Sequence, residues 1–244
     1  MQHMQHKLKS SILRILGLGK WEHALALKYR CLRRRIMRND ERMFRAYLAS
    51  HTNPKLHLGA SSHLLPGWLN TDLEPGEGSA FLDATKPFPL PSEKFDCVHC
   101  EHMIEHIPVL DGVAMLRECH RILRPGGVVR IVTPNLPQII GLYGTTTSGA
   151  QKQYLDWLAA TFTPEAPEPK AVFVINTFFY SWGHRFLYDE DTLRGAFRQA
   201  GFEDLRVCSL GQSDHSDMRG LENVHRYPPG LLEFESITVE GVKR

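Results

Sequence analysis

The chain has 244 residues, 42% hydrophobic and 23% charged, with a formal net charge of +2. That length suits one α/β domain with an appendage, and five cysteines, an odd number, exclude a disulfide framework and point to a reducing cytoplasm. No run approaches the roughly 18 apolar residues that a membrane span needs, and the stretch 10–19, interrupted by Arg14 and lacking a small-residue cleavage site, does not read as a signal peptide.

The charge is unevenly placed. Residues 1–55 carry thirteen Lys or Arg against three Asp or Glu, and the remainder carries sixteen against twenty-four. The pattern predicts a basic arm on an acidic body. The arm, residues 7–45, could meet an anionic membrane surface or an acidic protein, could build a homo-oligomer, or could lie on its own acidic domain. A peripheral position at the inner membrane surface fits Leu13, Ile15, Leu16, Leu18 and Trp21 beside the arginines. Nucleic acid is a weaker partner, because the body is acidic.

Residues 23–49 read as helix, with Leu25, Tyr29, Leu32, Ile36 and Met43 forming an imperfect apolar stripe. Asn53-Pro54 breaks the chain, which sets the expected units at 1–54 and 55–244. Strands are then expected at "KLHLG", "WLNTDL", "SAFLD" and "FDCVHC", the last nearly continuous in apolar residues, as a buried parallel strand is. Val113, Leu116, Cys119, His120 and Leu123 repeat at helical spacing, Pro125-Gly126-Gly127 is expected to stop that helix, and 128–133 is the fifth strand. Residues 151–162 read as helix, 163–170 as a proline-rich loop, and 172–180 as an apolar run that fits helix or strand. Residues 189–202 read as a capped helix ended by Gly201, and two closing strands follow within 203–211 and 234–242. Alternating strands and helices imply a Rossmann-like, doubly wound, mostly parallel sheet of seven strands with helices on both faces.

In such sheets ligands bind at the carboxyl ends of the strands. Gly59 permits a tight turn there. Asp72 ends the second strand, where a carboxylate can hold ribose hydroxyls, and Asp83 ends the third, where one can accept from an exocyclic amine. The ordered set "LHLGAS", "LPGWLNTDL", Asp83, "FDCVHCEHMIEHI", "RILRPGG" and "QAGF" resembles the class I S-adenosylmethionine-dependent methyltransferases. It is most similar to the small enzymes found with bacterial polysaccharide genes. The resemblance implies S-adenosylmethionine as cofactor, with Gly59, Ala60 and Ser61 facing its methionine part. It implies Asp72 and Leu73 at the ribose, Asp83 and Ala84 at the adenine, and Cys100 and Glu101 near the sulfonium. It also implies methylation, on oxygen, of a small molecule or a glycan or lipid-linked precursor. Ser61 stands where the family has a second glycine, and His57 where this group has Asn. A noncatalytic binding module on the same fold is the alternative.

The string His102-x-x-Glu105-His106 allows three readings. It matches a zinc-peptidase signature, but it follows a buried strand and no third ligand can be identified, so no metal is assigned. Alternatively His102, His106 or His184 is the base that takes an acceptor proton, or these histidines are structural. Cys97 and Cys100 read as small buried apolar residues. The aromatic run Phe178, Phe179, Tyr180 and Trp182 reads as core or as a lid over the substrate.

Overall fold

The computed structural model describes residues 39–144, 148–164 and 168–244. Most of the basic arm, including the stripe from Leu25 to Ile36, lies outside them. The chain divides between Ala46 and Tyr47, and the described residues of the first unit are helical, within α1 (Asn39–Ser50).

The second unit is built on one seven-stranded sheet. Its strands are β1 (Lys55–Leu58), β2 (Leu69–Asp72), β3 (Ala80–Phe81), β4 (Phe95–Glu101), β5 (Leu123–Pro134), β6 (Asp204–Cys208) and β7 (Ser236–Val242). Their order across the sheet is β3-β2-β1-β4-β5-β7-β6. All neighbours from β3 to β5 are parallel, and β7 runs antiparallel to both β5 and β6. This is the mostly parallel doubly wound sheet that the alternating pattern predicts. The order reverses between β1 and β4, which puts the ligand crevice at their carboxyl ends. Every residue of β4 is buried, as its apolar run requires of a central strand.

The connection from β1 to β2 contains no helix, yet the two strands are parallel, with His57 opposite Asn70. The Asn70 side chain holds this short crossover. Its Oδ1 accepts from the Leu65 N–H at 2.9 Å, and its Nδ2 donates to the carbonyls of Leu65 and Trp68 at 3.1 and 3.2 Å. His57 Nδ1 lies 3.0 Å from the same Oδ1. Burial, reinforced by the neighbouring His99, lowers the His57 pKa to about 3 and keeps it neutral.

Two expectations are corrected and one open choice is resolved. The third strand is only Ala80–Phe81, so Asp83 lies beyond its end. The helix α2 (Val109–Ile122) stops before Pro125-Gly126-Gly127, because Leu123 is already extended at φ −67°, ψ 139°. Those residues instead belong to a longer β5, where Gly126, at φ +82°, donates its N–H to the Lys243 carbonyl at 2.7 Å. The ambiguous run is a helix, α5 (Ala171–Tyr180).

The remaining helices are α3 (Leu136–Gly141), α4 (Gly149–Phe162), α6 (Glu190–Gln199) and α7 (Leu231–Glu235). Helix α6 starts as the sequence predicts: the Asp189 carboxylate accepts from the Thr192 N–H. Ile139, Tyr154, Leu158, Val174, Phe178 and Leu231 form one buried cluster among α3, α4, α5 and α7. That cluster fixes the wall of the site described next.

Candidate active site

At the end of β1 the chain turns at Gly59, with φ +68°. A side chain is excluded there twice over, because a Cβ would also sit 2.6 Å from the Met103 Cγ. The Ala60 N–H donates to the Thr71 carbonyl at 2.9 Å. Ser61 follows at φ 46°, the left-handed region that glycine occupies most easily. Its N–H donates to Asp72 Oδ2 at 2.8 Å, and Asp72 Oδ1 accepts from the Glu74 N–H at 2.7 Å. The acid at the end of β2 thus clamps the turn at the end of β1.

Ser61, Asp72 and the half-exposed Leu73 line a cavity of about 740 Å³. A volume of that order accommodates a nucleoside-sized ligand. The open turn, the carboxylate and the apolar Leu73 fit S-adenosylmethionine. Asp83 and Ala84 lie outside this cavity's lining, just past β3, where Asp83 Oδ1 accepts from the N–H and hydroxyl of Thr85 at 2.9 and 2.6 Å. Cys100 is completely buried, and burial raises its thiol pKa well above the ordinary value.

Glu101 closes β4. Burial works against its charge, but His99, Arg226 and the Asn223 N–H outweigh burial and hold its pKa at about 2. The Asn223 N–H lies 3.0 Å from Oε2, and Arg226 Nη2 lies 3.3 Å from Oε1. A loop near the C-terminus is thereby tied to the central strand.

Beyond Glu101 the backbone bends at His102, with φ 47°, into a short 3-10 turn (Ile104–His106). His102 and His106 therefore do not share one face of a regular helix. A left-handed angle at a non-glycine residue is strain that the surroundings must hold. Here the Glu105 carbonyl accepts from the N–H groups of Arg185 and Phe186 at 2.7 and 3.2 Å. This brings His184 beside His106, with ring centroids 4.8 Å apart.

All three candidate histidines line a second cavity, of about 460 Å³, with Glu105, Pro134, Trp157, Thr161, Phe162, Trp182, Arg226, Tyr227 and Glu235. His102 is the most occupied of the three. Its Nε2 is 2.9 Å from Ser236 Oγ, while its Nδ1 faces the carboxyls of Glu105 and Glu235 at 3.5 and 3.6 Å. Burial, with the Arg226 charge, lowers the His102 pKa to about 3. Burial likewise raises Glu105 to about 8. It raises Glu235 to about 7, although the hydroxyls of Tyr154 and Tyr227 donate to that carboxyl at 2.5 and 3.1 Å. Burial thus favours the protonated carboxyl at Glu105 and brings Glu235 into its titration range near pH 7, while the Arg226 guanidinium lies over the Tyr227 ring at 5.1 Å.

His184 Nδ1 lies 2.8 Å from the Phe178 carbonyl. A carbonyl only accepts, so Nδ1 carries the proton and Nε2 keeps its lone pair. The aromatic run divides: Phe178 is core, Trp182 forms part of the cavity wall, and Phe179 and Tyr180 are exposed. Sequence reasoning missed Trp157, Arg226, Tyr227 and Glu235. The segment carrying Arg226 and Tyr227 has no periodicity, and Glu235, expected inside the closing strand 234–242, instead ends helix α7, one residue before β7 begins.

A family model described as a methyltransferase domain matches residues 39–207. Among curated proteins, the ubiquinone biosynthesis O-methyltransferase of Pseudomonas aeruginosa PAO1 is 45% identical over 42 residues, 17% of each chain. A demethylmenaquinone methyltransferase of Staphylococcus epidermidis is 26% identical over 147 residues, 54% of each chain. The chain therefore spans less than a fifth of the first relative and about half of the second. Among solved structures, an S-adenosylmethionine-dependent methyltransferase from Thermotoga maritima matches with 18% identity and TM-score 0.46, covering 86% of this chain and 97% of that one. One from Mesorhizobium loti matches with 15% identity and TM-score 0.47, covering 82% and 95%.

Proposed function

We propose, because this chain belongs to the methyltransferase-domain family and carries an S-adenosylmethionine-dependent methyltransferase domain, that it methylates an oxygen of a small, ring-bearing hydroxylated acceptor. The observation that carries this reading is the second cavity. It lies at the ends of β4 and β5, β4 being the sheet neighbour of β1, whose end carries the glycine turn, and it gathers His102, His106 and His184 among aromatic walls.

When bound, the cofactor supplies a methyl group on a sulfonium leaving group. The protein's share is alignment of acceptor oxygen, methyl carbon and sulfur, which can carry much of the rate. The acceptor O–H gives up its proton, the oxygen–carbon bond forms as the carbon–sulfur bond breaks, and the thioether leaves uncharged. Gly59, Ala60, Ser61, Asp72 and Leu73 are our assignment for the methionine and ribose side, and Asp83 and Ala84 for the adenine side. Glu101 is assigned to the sulfonium side of the crevice. His106 and His184 are better candidates than His102 to take the proton, because both His102 ring nitrogens already face partners.

Trp157, Trp182, Phe162 and Tyr227 offer flat apolar faces to a ring, and Arg226 favours an acceptor with an anionic group. Two distant relatives are named a ubiquinone biosynthesis O-methyltransferase and a demethylmenaquinone methyltransferase; the first of these names leads us to take an aromatic ring hydroxyl as one acceptor class. A glycan or lipid-linked glycan, expected from the sequence resemblance, is the other. We also read residues 1–54 as a basic extension that contacts an anionic surface, a reading that liposome pelleting at low salt checks. No helix among the described residues is long and apolar enough to cross a membrane.

The test is calorimetric titration with S-adenosylmethionine and S-adenosylhomocysteine, followed by transfer of labelled methyl to a panel of phenolic and glycan acceptors. Micromolar cofactor binding with transfer to one class is the expected result. A folded sample that binds neither compound at about 1 mM, near −4 kcal/mol, rejects the proposal.

A further inference from the structure

One group in the acceptor cavity is more than a collection of polar side chains. Glu105, His106 and His184 each offer one donor atom, and these atoms all lie within 4.8 Å of one another. We infer that Glu105, His106 and His184 form a binding site for one first-row divalent transition-metal ion, open on the cavity side. The site itself does not rest on the methyl-transfer reading; with the ion bound, His106 and His184 are ligands and no longer the proton acceptors of that reading.

Four observations carry the inference. First, the donor set is two imidazoles and one carboxylate. That set suits zinc and its first-row neighbours, and three protein ligands with one open position is the arrangement of catalytic rather than structural sites. Second, Glu105 has no exposed surface and its carboxyl is only half satisfied. Oε2 accepts from the Thr133 hydroxyl at 3.0 Å, whereas Oε1 is buried without a hydrogen-bond partner. The nearest candidate, His102 Nδ1, stands off at 3.5 Å. A buried polar oxygen without a partner is costly; a cation at its face would displace the proton that burial otherwise keeps on this carboxyl, so ion binding releases a proton.

Third, His184 is held as a metal ligand is held. A ligating imidazole usually donates its other ring N–H to a carbonyl or carboxylate, which fixes tautomer and orientation. His184 does this through Nδ1 to the Phe178 carbonyl. Fourth, the scaffold is tied across the site, since the Glu105 carbonyl accepts from both Arg185 and Phe186. The hinge for closing the cluster is small. Donor atoms around a tetrahedral ion at bond lengths near 2.1 Å lie about 3.4 Å apart. His184 is held by Phe178, whereas His106 is exposed, so the His106 ring is the one with room to close the ångström or so required.

This set differs from the one suggested by the H-x-x-E-H string. That signature would use His102 and His106 as ligands with Glu105 as base. In the structure the left-handed turn at His102 commits its ring to Ser236, Glu105 becomes a donor, and the third donor arrives from the distant segment after α5.

The test uses the full chain, stripped with a chelator and titrated with Zn(II) by calorimetry and with Co(II) by visible absorption, in the absence of S-adenosylmethionine. The variants are His106→Ala, His184→Ala, their double, and His215→Ala as a histidine outside the cluster. The expected result is one ion per chain. Its affinity falls at least about tenfold in each cluster variant, the scale on which metal sites respond to loss of support. It is unchanged in His215→Ala, and S-adenosylhomocysteine binding is unchanged in all. Equal affinity in wild type and the double variant means that any bound ion sits elsewhere among the chain's 13 histidines and overturns the inference. Metal binding at the cluster in a protein that binds no cofactor leaves the site standing and removes the methyl-transfer reading instead.

Discussion

Replacing Asp72 separates the two tasks that the structure gives it. Both carboxylate oxygens accept a backbone N–H, from Ser61 at 2.8 Å and from Glu74 at 2.7 Å. Asp72 is also the assigned ribose acceptor. Asp72→Ala removes two charge-assisted hydrogen bonds that are worth about 1.5–3 kcal/mol each when well desolvated. The residue is only half-buried, so the loss in fold stability is set near the low end, about 1–2 kcal/mol in total, or roughly 2–8 °C in Tm for a domain of this size. Loss of one charge-assisted contact to the ribose lowers cofactor affinity by another 1.5–3 kcal/mol, about 13- to 160-fold. Asp72→Asn distinguishes turn from ribose: its amide oxygen still accepts one N–H, so it recovers part of the stability while the charge stays absent. Calorimetry with S-adenosylhomocysteine and thermal melts of the three proteins give both quantities. Equal affinity for Asp72→Ala and wild type, in samples that melt cooperatively, refutes the placement of the cofactor at the ends of β1 and β2.

Ser61→Gly relieves a left-handed residue, a gain of about 1–2 kcal/mol against an entropic cost of about 0.5–1 kcal/mol. Melting is therefore unchanged or slightly raised and cofactor affinity does not fall; a tenfold loss of affinity shows that the Ser61 side chain itself binds. Arg130 is fully buried and donates to Glu222 and Glu240, both at 2.7 Å. Arg130→Met strands two buried carboxylates at a cost of about 3–5 kcal/mol, at least about 6 °C in Tm, and a wild-type melt contradicts the network. The Glu101 pKa is depressed from 4.5 to about 2, so its contribution is complete above its unfolded pKa and is lost as pH falls from about 4.5 towards 2. Glu101→Gln is less stable than wild type at pH 6, and the urea midpoints of the two draw together below pH 4.5 and converge only as pH approaches about 2; a constant gap means that the ionised carboxylate contributes nothing.

The fold was legible where burial writes itself into local pattern. Strand β4 is buried along its whole length, and its apolar run announces that. Helix α6 shows its cap, its face and its terminating glycine in sequence. The run 172–180 did not declare itself, because it is apolar on every side. Helix wins because Asn176 and Thr177 return hydrogen bonds to the carbonyls of Val172 and Phe173, while Val174 and Phe178, one turn apart, enter the same buried cluster. The Pro-Gly-Gly segment misled for a related reason. Its glycine serves a contact with Lys243, far away in sequence, and no local signal distinguishes that from a helix stop.

The site divides along the same line. Gly59, Asp72 and the histidines after β4 stand at strand ends, which an ordered set of strands makes countable. Arg226, Tyr227 and Glu235 reach the cavity only because β7 inserts antiparallel beside β5 and so returns the preceding helix α7 to the end of that strand. Such convergence has no sequence period. The same insertion sets the electrostatics: Glu235 comes to face His102 at 3.6 Å, and Arg226 comes to face Glu101 at 3.3 Å. The second contact keeps a carboxylate charged at the end of β4, whereas burial raises the Glu235 pKa to about 7. The second cavity thus combines His102, Glu105 and His106, which follow the legible strand β4, with Arg226, Tyr227 and Glu235, which arrive from a segment near the C-terminus that shows no period.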